Sequence, residues 1–458
     1  MPRFLDLPLQ SVLEALCTHC MPSALQHYCI NPNCGNHNDT EDALCSATMA
    51  SLCLTSRDLN AVATRYLYHK PVTSQWGLLA RTLIARPDLA EYVRELRDYS
   101  WGYCREKGGY PACPPEVSTY WKEGMEELLN TLPEQQELYS EMTMDGDDTD
   151  TNVKVDLLMS LCANLEQVKV TVGYFNIAAL CLRYTFDRLS SITLSHEDTE
   201  GGISFQNVAP LVDSAPNLKY LRFHALAAEE TALNETLPRL TTMVLDWSTI
   251  DYPALVKVLE NCPRLETFKY FGGGPLVGNG DITPRQAQDA FVSLGRNLRC
   301  IYLNLLSDAF GDGRLILEDR LMTSLAELGK LEHLSLDLRC LVPHRDPHCT
   351  SSTGGPDGTW INLNEGPLPQ PNETYLVNLL PVSIRHFNIE ESYVDVAPLL
   401  PAIRRLASVA RERFPKLRHV GIPTEKLDAE TVKEVTAAFQ EAGVGLNTAT
   451  WPTLSPCF

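Results

Sequence analysis

Nine copies of one short pattern run through this sequence: an apolar residue, two variable positions, an apolar residue, one variable position and a final apolar residue. They read NLEQVKV at 164–170, RLSSITL at 188–194, NLKYLRF at 217–223, RLTTMVL at 239–245 and RLETFKY at 264–270. The series continues with NLRCIYL at 297–303, KLEHLSL at 330–336, SIRHFNI at 383–389 and KLRHVGI at 416–422. Their leading apolar residues are Leu165, Leu189, Leu218, Leu240, Leu265, Leu298, Leu331, Ile384 and Leu417, separated by 24, 29, 22, 25, 33, 33, 53 and 33 positions. A tenth candidate, YVRELRD at 92–98, lies upstream. A single copy is uninformative, because any helix can contain one. A series at near-regular spacing constrains the whole chain.

The last two apolar positions of each copy are two apart, so they share one face of a short strand and bury together. The leading residue packs as the chain enters that strand. Helical stretches precede several copies: VAPLVDSAPNL at 208–218, ALVKVLENCPRL at 254–265 and DAFVSLGRNL at 289–298. Ala215-Pro216-Asn217 and Asn261-Cys262-Pro263 act as helix stops before the strand. A helix–turn–strand unit cannot bury its apolar face alone, so neighbouring units must stack. Most spacings lie near the roughly 20–29 residues of leucine-rich repeats. The expected fold is therefore an α/β repeat over 71–458, a leucine-rich-repeat-like solenoid with a curved parallel sheet and outer helices. Insertions are expected near 102–152 and 343–371, the second accounting for the 53-residue gap. The alternative is a sheet buried on both faces, which would carry near-continuous Val/Ile runs. Here polar residues alternate with apolar ones.

The alternating variable positions are expected to face the concave side of the sheet, where such arrays bind partners. They are Gln167, Lys169, Ser191, Thr193, Tyr220, Arg222, His224, Asp246, Thr267 and Lys269, followed by Cys300, Tyr302, Asn304, His333, Ser335, Asp337, His386, Asn388, Glu390 and His419. The candidate substrate-binding set within them is Lys169, Tyr220, Arg222, His224, Lys269, Tyr302, His333, His386 and His419. Tyr220, Arg222, Lys269 and Tyr302 are its proposed anchors. His333, His386 and His419 occupy the same slot in three successive copies. They are either a ladder responsive to protonation near neutral pH or ordinary solvated sheet residues.

Bulk properties narrow the partners. The net charge of −20 and the absence of a Lys/Arg-rich run argue against nucleic acid. No window approaches about 18 uninterrupted apolar residues, so no membrane span is expected. The N-terminal MPRFLDLPLQSVLEALC lacks the organisation of a secretory signal. Fifteen scattered cysteines are then read as mostly reduced thiols, in the cytoplasm or nucleus. The N-x-[ST] matches at Asn38, Asn234 and Asn372 are read as chance.

Near the N-terminus, Asp6-Leu7-Pro8 is a helix-start signal, and Leu9, Val12, Leu13 and Leu16 fall on one helical face. A second amphipathic run at 42–66 places Met49, Leu52, Cys53, Ser56, Leu59 and Ala63 on one stripe. The segments LPLQSVLEAL at 7–16 and ATMASLCLTSRDLNAVATRYLYH at 47–69 resemble the F-box, in the form found in filamentous fungi, which often carries an insertion after the first helix and ends in LYH. The resemblance covers residues 1–70. It implies the substrate receptor of a Skp–cullin–F-box ubiquitin ligase. It also implies that Leu7, Pro8, Val12, Leu13, Leu16, Leu52 and Leu59 contact the small Skp-type adaptor, which connects to a cullin. The alternative is a scaffold protein whose N-terminal helices only cap the array.

Other motifs carry less. Cys17, Cys20, Cys29, Cys34 and His37 cluster in the insertion between the two helices, with His19, His27 and Cys45 nearby. Four such ligands would suit zinc, but only one CxxC is present and bland cysteines are the preferred reading; no metal or cofactor is expected. GGGPLVGNG at 272–280 lacks the GK[ST] ending of a phosphate loop. DGDDTD at 145–150 has Asp150 and Asp156 where a calcium loop needs Gly and Glu. His344, His348 and Cys349 are read as loop residues. No GxSxG, HExxH or kinase set occurs. The sequence thus predicts a non-enzymatic protein binder.

Overall fold

A computed structural model of the protein describes residues 46–71, 76–97, 155, 158–172, 185–196, 202–228, 236–273, 282–305, 321–343, 353–354, 360–361, 370–390 and 394–447. By its internal contacts the chain forms two compact units, Met1–Glu197 with Asn207–Leu218, and Asp198–Gln206 with Lys219–Phe458.

In the first unit, the single stripe expected over 42–66 is two helices: residues 46–53 are helical, and α1 (Arg57–His69) follows. Hydroxyl side chains make the break. The Thr55 hydroxyl donates to the Leu52 carbonyl at 2.7 Å, and extended Ser56 accepts the Leu59 N–H at 3.2 Å. Both satisfy groups that a continuous helix would otherwise use. Met49 and Ala63 are buried between the helices, with Leu52, Cys53, Tyr66 and Leu67 partly buried against them. Then come α2 (Trp76–Ala85), α3 (Pro87–Ala90), β1 (Glu95–Arg97), β2 (Gln167–Val172) and β3 (Ser191–His196). β1 pairs with β2, and β2 with β3, all parallel. YVRELRD is therefore a tenth repeat strand. The segment α4 (Phe205–Asp213) carries residues of both units.

The second unit continues with β4 (Tyr220–His224), β5 (Ala227–Ala228), β6 (Thr242–Ile250), α5 (Tyr252–Asn261), β7 (Thr267–Gly272), α6 (Pro284–Leu294), β8 (Cys300–Asn304) and β9 (His333–Asp337). After a short antiparallel pair, β10 (Thr353–Gly354) and β11 (Trp360–Ile361), come α7 (Tyr375–Leu379), β12 (His386–Glu390), α8 (Leu400–Arg413), β13 (His419–Gly421), α9 (Ala429–Glu441) and β14 (Gly445–Asn447). The strands pair in the order β4-β6-β7-β8-β9-β12-β13-β14, every pair parallel. The fold is thus a parallel α/β repeat. β14 has no hexad in the sequence and was not expected.

The repeated unit is built the same way each time. In all nine copies the leading residue donates its N–H to the carbonyl three positions earlier, as in Leu165 to Cys162, Leu265 to Cys262 and Leu417 to Phe414. Asn side chains then stitch neighbouring copies: Asn164 donates to the Glu91 carbonyl at 3.1 Å, Asn217 to Asp187 at 2.7 Å and Asn297 to Pro263 at 2.8 Å. This accounts for the recurring Asn-Leu dipeptide. The leading and inward apolar residues are all buried, each worth roughly 1.5–3 kcal/mol of transfer free energy. Helices cover this face. Phe205 of α4 meets Phe223 edge-on at 5.1 Å, and Phe291 of α6 meets Phe268 at 5.6 Å. Cys162 and Cys262 lie in the buried turns, where desolvation pushes both thiols up to about 12. No helix among the described residues is long and apolar enough to cross a membrane.

Candidate functional site

Parallel pairing in register lines up equivalent slots of successive strands into rows on the face opposite the helices. In the second unit, one row runs Tyr220, Thr242, Thr267, Cys300, His333, His386, His419 and Gly445. The next runs Arg222, Val244, Lys269, Tyr302, Ser335, Asn388, Gly421 and Asn447. The expected binding residues of this unit therefore share one face. Lys169 belongs to the first unit, in a row with Arg97 and Thr193.

The histidines form a stacked column. The His333 and His386 rings lie 4.6 Å apart and 7° from parallel; His386 and His419 lie 5.0 Å apart at 17°. Burial, then His333, His419 and Arg385, pull the His386 pKa down to about 4, with Glu332 acting the other way. Burial also lowers that of His333. A Cβ on Gly445 would lie 2.9 Å from His419 Nδ1, so the end of the column rests on a residue with no side chain.

At β4 and β6 a buried carboxylate organises the face. Arg222 Nη2 lies 2.7 Å from Asp246 Oδ2, and His224 Nδ1 lies 3.3 Å from the same oxygen. Burial works to raise the Asp246 pKa, but His224 and Arg222 outweigh it and hold the carboxyl below its ordinary value. The register shifts between Leu245 and Ser248. There Trp247 adopts φ 48° and stands 58% exposed. A bulky residue at positive φ is an outlier. Ala225 N–H, which donates to the Asp246 carbonyl at 2.9 Å, and Ser248 Oγ, which accepts Leu226 N–H at 3.0 Å, hold this corner in place.

On β8, β9 and β12 a polar cluster that the sequence places on the concave face is buried. Tyr302, Asn304, Asp337 and Glu390 are all buried, as are Cys300 and Asp246. Asp337 pairs with Arg339, whose Nε donates to Oδ2 at 2.9 Å. Glu390 instead accepts from neutral groups: the Ser335 hydroxyl at 2.6 Å and the Asn388 amide. Burial raises its pKa. Tyr302 stacks on Phe271 at 4.3 Å. Its enclosed hydroxyl lies against Glu390 and Asn304. One signal in the sequence marks this layer: the slot directly after the last apolar residue of a copy holds Asp246, Asp337 and Glu390. Their burial was not legible there.

Of the residues that the F-box resemblance assigns to an adaptor, Leu7, Pro8, Val12, Leu13 and Leu16 lie outside the described residues. So do Cys17, Cys20, Cys29, Cys34 and His37, the loop residues His344, His348 and Cys349, and the segment 102–152. Leu52 and Leu59 are half-buried, Leu52 against Met49 and Ala63. Among the described residues, no group of His, Cys, Asp or Glu side chains is placed to hold a metal ion. No known family model matches the sequence, and a comparison with curated proteins finds no similar chain.

Proposed function

We propose that this protein is the substrate-recognition subunit, an F-box adaptor, of a Skp–cullin–F-box ubiquitin ligase. In this reading the parallel repeat is a leucine-rich-repeat-like solenoid, and its open face is the concave surface that captures a protein substrate. The helices within residues 1–70 dock on the Skp-type adaptor and through it reach a cullin. The protein itself performs no chemistry. The observation that carries the binding part is the alignment of Tyr220, Lys269, His333, His386 and His419 on one face of the sheet. Extended sheets of this kind offer binding surfaces. The ubiquitin part rests on the F-box resemblance.

One observation favours a second reading, a scaffold whose N-terminal helices merely cap the array: Leu52 is partly buried within its own helical pair. A pull-down with purified Skp-type adaptor separates the two. The full chain is expected to bind and a chain lacking 1–70 to lose binding. No binding by the full chain at micromolar concentrations would leave the scaffold.

A further inference from the structure

We infer that the rim of the second unit, where the chain enters each strand, is a docking surface for an acidic segment of the captured polypeptide. This rests on the protein-binding reading above and names the chemistry that such a partner carries. Acids outnumber bases 58 to 38 in the chain as a whole, for a net charge of −20. The rim reverses that balance. In the second unit, the slot directly before the leading apolar residue of a copy holds Arg239, Arg264, Lys330 and Lys416, and no acid. The slot directly after it holds Lys219, Arg299, Arg385 and Arg418 against Glu266 and Glu332. Every one of these cations is exposed.

Stacking gathers residues that are scattered along the sequence. Arg299 donates its N–H to the Glu266 carbonyl at 2.7 Å, Glu332 to that of Arg299 at 2.8 Å, Arg385 to Glu332 at 2.8 Å and Arg418 to Arg385 at 2.8 Å. These residues therefore follow one another at the strand spacing of about 4.8 Å. The acids do not cancel the cations. Glu332 is half-buried and shared, 3.2 Å from Arg299 Nη2 and 3.6 Å from Arg385 Nε, so one positive charge of the three groups is left over. Lys330 Nζ donates to the Asn297 amide oxygen at 2.6 Å, a neutral partner. Among the described residues, neither Lys416 nor Arg418 forms an ion pair. The positive field reaches the open face: beside burial, the groups acting on the His333 ring are Glu332 and, against it, Arg385, Arg299 and Lys269.

At physiological salt the Debye length is about 8 Å. A segment lying on the rim thus senses these cations more than the acidic remainder of the chain. A long polyanion such as a nucleic acid extends beyond the rim into that remainder and crosses Glu266 and Glu332 on the way. A short acidic stretch of polypeptide, with its carboxylates spaced along a flexible backbone, fits.

The test uses the full chain and a fluorescein-labelled peptide of alternating glutamate and serine, with the same peptide carrying glutamine for glutamate as control, read by fluorescence anisotropy. The acidic peptide is expected to bind about tenfold or more tightly than the glutamine peptide, and its affinity to fall as salt rises. Lys416→Glu combined with Arg418→Glu should weaken the acidic peptide about tenfold or more with little change in Tm, as for exposed substitutions generally. Arg405→Glu combined with Lys433→Glu makes the same change of net charge at exposed positions of α8 and α9 and should weaken it far less. Equal binding of the glutamine peptide, or equal losses in the two double variants, would overturn the rim as a docking surface. So would a large fall in Tm for the Lys416 and Arg418 variant, because cations just past the C-terminus of α8 would then serve the helix. Tighter binding of a single-stranded oligonucleotide of equal charge would overturn the choice of polypeptide. The adaptor pull-down run on the same preparation keeps the two ideas apart: adaptor binding without peptide binding sinks only the rim, and peptide binding without adaptor binding sinks only the ubiquitin reading.

Discussion

At the scale of single residues, the types of side chain that anchor interfaces also hold the open face together. Arg222 and Tyr220 are two such types. Both are types expected to anchor a partner, yet Arg222 is the counter-ion of Asp246, which is only 3% exposed. Removing one member of a buried pair strands the other charge and costs about 3 kcal/mol or more. Arg222→Ala is therefore expected to lower Tm by several degrees, whereas Tyr220→Ala should lower it less and weaken substrate capture. Thermal melts of the two variants check this; a harmless Arg222→Ala would mean that the ion pair is unimportant. The sequence identified both residues as facing outward. It did not show that Arg222 is the counter-ion of a buried carboxylate, because Asp246 lies 24 positions away.

At the scale of elements, strand spacing depends on residues with no side chain. A Cβ on Gly421 of β13 would run into the Asn388 side chain of β12, the same amide that donates to Ser335 at 3.1 Å and to Glu390. Gly421→Ala is expected to push Asn388 away from Glu390 and to destabilise the protein by about 1–3 kcal/mol, as overpacking does. Chemical denaturation gives that number directly; an unchanged midpoint would show that Asn388 moves at no cost. The same scale explains the split of the expected 42–66 helix. Periodicity alone continued the stripe through Ser56, whereas capping by its hydroxyl ends one helix and starts the next. A propensity that acts over one turn won over a pattern that runs for about seven.

For the whole molecule, the histidine column couples stability to pH. The unfolded His386 titrates at its ordinary 6.5, the folded one at about 4. As pH falls, the unfolded chain takes up this proton first, so folding loses stability between those values and the loss levels off below about 4. Glu390 runs the other way: with its folded pKa raised, its contribution is complete below the ordinary carboxylate value and declines as pH rises through the folded value. His386→Asn is expected to flatten the fall of Tm on acidification from about 6.5 to 4 relative to the unaltered chain. Parallel Tm–pH curves for the two proteins would remove the column from the acid response.

The amino-acid order alone located ten of the strands among the described residues, and determined which residues lead each turn and which slots point outward. These follow from spacing within a few residues, which the backbone geometry of a strand converts directly into faces. It also placed His333, His386 and His419 in one slot, and in-register parallel pairing brings them into a stack. What only the tertiary structure decided is which outward slots are closed off and who neutralises whom. Ser335 meets Glu390 across 55 positions, and Trp247 stands out at a register shift that no local pattern encodes. The reason is physical: strand faces are set by alternation along the chain, whereas burial and charge pairing on the open face are set by neighbours that only stacking brings together.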